Sequence, residues 1–305
     1  MTPPNAMWFI FVATVIAACA APPSNLPPAR HVDSTWAAPA AGAEQDARSV
    51  IQHDLATTVS FARCRKTSMC VRALPLFRSW VVTKDALAPL DLEREETLLV
   101  LDAPTGGPKT RAFFGWSKAT TAALLASFKR AGEQPALAFS SRHADALRVH
   151  VPLAGGRWVY ATRSRIFPAS ALLKEHVLCA PDATHEISME SQEPWRRSWL
   201  FDERSEKLSV NVTFDADGTS RIDGLIHLAQ GAPPDQVRSL LSERIVEFNS
   251  ILVRAATRNV LSKVTILPDE TDASLLRMKL ELTADETRSL IDLAAAYLGA
   301  DLEGP

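Results

Sequence analysis

Leu276, Met278, Leu280 and Leu282 stand at every second position, with Arg277, Lys279 and Glu281 between them. A period of two puts one set on each face of an extended chain, so this segment predicts a half-buried strand. Segments 208–214 and 221–228 read as two more strands, joined by the turn Asp215-Ala216-Asp217-Gly218-Thr219. Val237, Leu241, Ile245, Phe248 and Leu252 then recur at helical spacing behind Pro233-Pro234. Proline suits a first turn, where its missing donor is not needed, so a helix is predicted to about residue 258. A short strand at 264–267 follows. Thr283 and Glu286 have capping-box spacing ahead of a last helix that runs to Leu298 and stops at Gly299. The order strand, strand, helix, strand, strand, helix predicts an antiparallel sheet with helices packed on one face, an α+β module.

The N-terminal half predicts a second module of the same class. Segment 74–82 is apolar with β-branched residues at its end and reads as a strand, as do 97–101 and 109–116 around the turn Pro104-Thr105-Gly106-Gly107-Pro108. A helix over 118–131 has Ala122, Leu125 and Phe128 on one stripe, with Ser117 as its cap. Short strands are expected at 136–140, 147–153 and 157–162, the last two joined at Gly155-Gly156. The helix-then-two-strands run over 119–153 resembles part of the invasion-associated locus B proteins, which are exported. The chain departs from them at 157–165, which reads as strand where they place a helix. The expected organisation is residues 1–18 as a signal peptide, 19–48 as a tether, 49–180 and 195–305 as two α+β domains, and 181–194 as a linker.

Near the N-terminus the pattern loses its periodicity. Residues 6–21 form an apolar run of 16 residues ending in small side chains. A bilayer-spanning helix wants about 20, so the run is sized for a signal sequence instead. No Lys or Arg precedes Arg30. Ile16-Ala17-Ala18-Cys19 resembles the lipobox of bacterial lipoproteins. That resemblance implies export, cleavage before Cys19, a diacylglyceryl anchor on its sulfur and attachment to the cell envelope. With Ala20 rather than Asp next, it implies the outer membrane, facing the periplasm. Pro22, Pro23, Pro27, Pro28 and Pro39 make the following stretch a tether of about 30 residues, reaching up to ~90 Å if extended.

Composition changes this picture little. Hydrophobic content of 47% and charged content of 22% are globular values. A net charge of −2 demands no polyanionic partner, and no interleaved basic and aromatic pattern points to nucleic acid. The charge is uneven, however. Segment 61–84 holds Arg63, Arg65, Lys66, Arg72, Arg78 and Lys84 with no acid, whereas 265–305 holds nine acids against Arg277, Lys279 and Arg288. Two solvated faces account for this, or an anion-facing N-terminal half suited to phosphate-bearing glycolipid or cell-wall polymer. Five residues separate Cys64 from Cys70, and an exported protein would join them in a local disulfide. Cys179 is then expected to be a buried free thiol.

Motifs for chemistry are sparse. Asp215-Ala216-Asp217-Gly218 lacks the third ligand of a calcium loop, which favours a hairpin turn. His185-Glu186 begins like a zinc-protease motif, but Met189 stands where the second histidine belongs. His150 and His227 lie on strand candidates. No catalytic residues, metal ligands or cofactor are assigned. Trp195-Arg196-Arg197-Ser198-Trp199 is the binding candidate: Trp195 and Trp199 would share a strand face with Arg197 between them, and Trp and Arg are enriched in binding hot spots. The sequence reading is a non-enzymatic envelope lipoprotein that binds or scaffolds an envelope protein, cell-wall polymer or glycolipid, held to the membrane by its lipid anchor. The alternatives are an envelope hydrolase with unrecognised residues, and a periplasmic inhibitor or immunity protein.

Overall fold

The computed structural model describes residues 44–46, 48, 53–81, 97–102, 111–116, 138–139, 148–150, 157–161, 177–179, 184–196, 198–249, 257, 259–298 and 302. In chain order the strands are β1 (Glu44–Asp46), β2 (Leu55–Ser60), β3 (Thr97–Asp102), β4 (Arg111–Trp116), β5 (Ala138–Phe139), β6 (Arg148–His150), β7 (Arg157–Ala161), β8 (Val177–Cys179), β9 (Ile187–Gln192), β10 (Ser205–Phe214), β11 (Ser220–Leu228), β12 (Thr265–Pro268) and β13 (Leu275–Leu282). The helices are α1 (Phe61–Cys64), α2 (Ser68–Val81), α3 (Pro234–Phe248) and α4 (Ala284–Leu298). The protein is α+β, with antiparallel sheets in two compact units.

One unit comprises, among the described residues, those from β1 to Ala62 and from β3 to Thr184. Its sheet runs β2-β3-β4-β7-β6-β5, antiparallel throughout, and β1 pairs in parallel with β8. Every residue of β2 is buried, and so are Leu98, Leu99, Val100 and Leu101 of β3. Covering both faces explains why these strands read as continuous apolar or small-residue runs without alternation.

The other unit holds Arg63–Val81 and the chain from His185 onward. Its sheet order is β12-β13-β11-β10-β9, all antiparallel. The register aligns the alternating apolar positions into rows on one face. Leu280, Ile222, Val212 and Ile187 form one row; Ile266, Met278, Gly224, Val210 and Met189 form the next. Gly224 makes room for Met278, whose Cε would lie 2.7 Å from an added Cβ. Helices α3 and α4 pack against this sheet, with Val237, Leu241, Ile245 and Phe248 of α3 and Leu290, Ile291, Ala294 and Ala295 of α4 buried. The opposite face carries Arg221, Asp223, Arg277, Lys279 and Glu281, all exposed. The capping box of α4 forms: Thr283 Oγ1 accepts the Glu286 amide at 3.3 Å, and Glu286 Oε2 accepts the Thr283 amide at 2.9 Å. At the edge strand β12, the Asp269 amide donates to Leu275 O on β13. Alternation then turns the amide positions of Ile266 and Pro268 outward, and proline has no donor there, which blunts the edge against a further strand.

Four expectations are corrected. Segment 74–82 is not a strand; 68–81 is helix α2. Its buried Met69, Ala73, Leu76 and exposed Ser68, Val71, Arg72 follow a helical period, and packing on α4 outweighs the lost hydrogen bond at Pro75. The helix also groups with the C-terminal unit, so that module is discontinuous in sequence. Within the expected linker 181–194, Ile187–Gln192 is strand β9; its apolar residues looked isolated because only every second one faces the core. The end of the expected tether, Glu44–Asp46, is strand β1. The helix expected at 118–131, the signal segment and Cys19 lie outside the described residues.

Candidate functional site

The chain between β9 and β10 is the one that carries Trp195, Arg197 and Trp199, and it is not a strand. It opens at Glu193, whose φ of 47° lies in the left-handed region that non-glycine residues seldom adopt. Pro194–Arg196 forms one turn of 3-10 helix, and a turn spans Trp199 and Leu200. The Glu193 amide donates to Glu206 O at 2.7 Å, the Ser198 amide to Pro194 O at 3.0 Å, and the Ser205 amide to Asp202 O at 2.9 Å. Arg244, one turn before the end of α3, donates from Nη1 to the carbonyls of both Leu200 and Phe201, each at 2.9 Å. Leu200 and Phe201, within this loop, are buried. Ser205, at the foot of the loop where the register of β10 shifts, is fully buried.

The two indoles part company. Trp199 sits 6.1 Å from the Phe248 ring at a 46° tilt, a packing contact with the end of α3. Trp195 lines a shallow, open depression of about 480 Å³ together with Phe201, Asp202, Glu203 and Arg204. Arg197 lies outside the described residues. Arg204 grips Asp202 with Nε at 2.9 Å and Nη2 at 2.6 Å, and its own amide donates to Asp202 Oδ1 at 3.0 Å. Burial pushes the Asp202 carboxyl up, but the Arg204 hydrogen bonds and the charges of Arg204 and Arg244 outweigh it and hold the group below its ordinary value. The depression therefore sets an indole beside an ion pair that stays ionised at neutral pH. Such a surface suits recognition by stacking and charge.

A second surface lies where α1 meets α2. Cys64 and Cys70 are joined by a disulfide, and both are fully buried. The turn between them is closed by the Lys66 amide on Arg63 O at 2.9 Å and the Thr67 amide on Cys64 O at 3.2 Å. Arg65, Lys66 and Ser68 are exposed. Arg63 reaches Glu186 at 3.6 Å, and Glu186 also accepts the Phe214 amide at 3.3 Å. Arg72 binds Asp292 of α4 through Nε at 3.1 Å and Nη2 at 2.7 Å.

The remaining candidates take structural places. His185 Nδ1 lies 3.1 Å from Thr213 Oγ1, and Glu186 serves the buried contacts just described. His150 ends β6, and His227 pairs with Lys207 and Leu275. Asp217 Oδ1 accepts both the amide and the hydroxyl of Thr219, at 2.9 and 2.7 Å, so this carboxylate is spent on its own turn. Cys179 lies in β8, and its side chain falls outside the described residues. Among the described residues, no three His, Cys, Asp or Glu side chains group as metal ligands, and no helix is long and apolar enough to cross a membrane.

Sequence reasoning missed Asp202, Arg204 and Arg244. The first two stand two residues apart, a spacing that invites pairing in a turn. Arg244 is 44 residues from Leu200 and gave no local sign.

No family model matches the chain, and no curated protein matches it. Among solved structures, it is similar to crystal form I of TP0453, at 10% identity and a TM-score of 0.45, covering 82% of this chain and 98% of that one. Crystal form IV of TP0453 gives 12% identity and a TM-score of 0.44, covering 81% and 94%. Likeness of this degree bears on neither site nor function.

Proposed function

We propose that this protein is an exported lipoprotein of the bacterial cell envelope, anchored at Cys19, which acts by binding or scaffolding a partner rather than by catalysis. The observation that supports binding is the loop between β9 and β10. Arg244 and the Asp202–Arg204 pair hold it in place, Glu193 keeps a costly backbone conformation, and Trp195 is left lining an open depression. Strained, over-determined backbone next to a surface aromatic is the arrangement expected of a gripping surface. The lipobox-like Ile16-Ala17-Ala18-Cys19 supports the envelope location.

The location is tested by the intact mass of the protein from its native membrane fraction, beside Cys19→Ala. The expected wild-type mass lacks residues 1–18 and carries acyl chains; a full-length or unlipidated mass overturns the anchor. Binding is tested by placing a photo-crosslinking side chain at Trp195 and, separately, at exposed Val246 of α3. A discrete adduct from position 195 only is expected, and the same adducts from both positions would remove the loop as the binding surface.

A further inference from the structure

Helix α2 is an intrinsically weak helix with a covalent restraint at its start. It runs for 14 residues, a length at which an isolated helix is marginal in water. Pro75 stands in its interior, where the ring removes a backbone donor and crowds the carbonyl of Val71. No acidic residue in the first turn answers the helix dipole. The Arg72–Asp292 pair joins side chains that are 40% and 45% exposed, and a pair so open to water holds little. Packing does the rest: Met69, Ala73, Leu74 and Leu76 are buried, and a Cβ added to Gly218 would lie 3.4 Å from Met69 Cε.

The restraint is the Cys64–Cys70 bond, which joins the last residue of α1 to the first turn of α2. Cys64 follows Arg63, which reaches Glu186, and buried Glu186 accepts the Phe214 amide of β10. The bond thus ties the start of α2 to the end of β10 through a short series of fixed neighbours. We propose that it is a redox latch: it keeps α2 docked on α4, and its reduction releases α2 while the sheet β12-β13-β11-β10-β9 stays folded. Closing a loop of this size shifts the balance between docked and released helix by about 50-fold. In the opening step a dithiol supplies two electrons and two protons. The sulfur–sulfur bond breaks, thiols form on Cys64 and Cys70, and the dithiol becomes a cyclic disulfide. The closing step passes two electrons and two protons from the two thiols to a disulfide oxidant, of the kind an oxidising compartment supplies. Docking of α2 is thereby coupled to arrival where disulfides form. For that setting the inference rests on the export reading, but the latch itself does not.

The full chain carrying Cys19→Ala and Cys179→Ala keeps only this pair of cysteines and lacks the proposed lipidation site. Its hydrogen exchange is compared with the bond intact and after reduction by dithiothreitol. Exchange across 68–81 is expected to rise about 50-fold on reduction, while 208–214 and 276–282 change by less than about twofold. Adding Cys64→Ala with Cys70→Ala should give the reduced pattern without any reductant, so slow access to a buried bond does not decide the outcome. Pro75→Ala gives the Val71 carbonyl a donor, and in the reduced chain it should lower exchange across 68–81 by about tenfold or more. Unchanged exchange across 68–81 in the double alanine chain overturns the latch. An equal rise across 208–214 and 276–282 overturns it too, because the bond would then support the whole unit and not α2. No fall with Pro75→Ala removes the weak helix on which the latch depends, and overturns it as well. A failed lipidation mass leaves the exchange result standing, and a failed exchange result leaves the anchor standing.

Discussion

Two connections join neighbouring antiparallel strands of one sheet, and they are held in opposite ways. The turn Asp215–Thr219 between β10 and β11 closes on itself. Asp215 accepts the Gly218 amide at 3.0 Å, its own amide donates to Thr219 O at 2.9 Å, and Asp217 takes both donors of Thr219. The loop from Glu193 to Arg204 between β9 and β10 has turn hydrogen bonds of its own, but α3 also brings Arg244 to two of its carbonyls. The self-closed turn spends its Asp217 carboxylate on its own backbone and side chain. A loop fixed from outside can keep an aromatic and an ion pair at the surface. The difference teaches where recognition can be built in this unit: on the connection whose geometry is secured by a distant residue.

The largest expected effect comes from releasing that residue. Arg244→Ala leaves two part-buried carbonyls without their donor and costs about 2–3 kcal/mol. Hydrogen exchange should rise across 198–205 and stay unchanged across 215–219; equal acceleration of both would show that the loop is not held separately. Trp199→Ala comes next, at about 2 kcal/mol for lost packing on Phe248. A loss below about 0.5 kcal/mol would show that the Phe248 contact does not hold this indole.

The complementary break is Gly218→Ala. Its φ of 88° disfavours any side chain, and an added Cβ would lie 3.1 Å from Ala284 Cβ. The expected loss is about 1–2 kcal/mol, with exchange now raised across 215–219 and unchanged across 198–205. Acid titration gives the smallest separation. Hydrogen bonds from the Thr219 hydroxyl and amide hold the Asp217 carboxyl low; hydrogen bonds from the Thr271 hydroxyl and amide, then Arg277, do the same for Asp269. Asp202 is also low, through Arg204. A depressed carboxyl stabilises the fold fully above its ordinary value of about 3.9, and that stabilisation is lost as pH falls through the folded value. Melting temperature should therefore decline below about pH 4. Asp202→Asn should remove the acid-induced opening of 198–205 alone, and Asp217→Asn that of 215–219 alone. An acid limb untouched by either substitution would place the sensitivity elsewhere.

Much of the C-terminal unit was legible in sequence because its causes are local. Alternation at 276–282 fixed which face of β13 is buried. The Thr283–Glu286 box and the Asp-Gly turn are satisfied within four residues, so spacing alone identified them. Segment 74–82 failed for the converse reason. Its apolar run with a proline fits a strand as well as a helix until the buried contacts of Met69, Ala73 and Leu76 with the unit's core select the helix. The binding candidate was half legible. Composition singled out the Trp-Arg segment, but periodicity assigned both indoles to one face of a strand that does not form.

By itself, then, the sequence determined the α+β class, the inward rows of the second sheet, the self-closing turns and the cap of α4, all of which depend on residues a few positions apart. Tertiary structure alone decided that α2 joins the C-terminal unit, that Ile187–Gln192 is a strand, that Trp199 packs on Phe248 while Trp195 lines a depression, and that Arg244 secures the loop. Each of these depends on a partner far along the chain. A lone apolar or charged residue carries no local record of what it will meet once the sheet register and helix packing have been set.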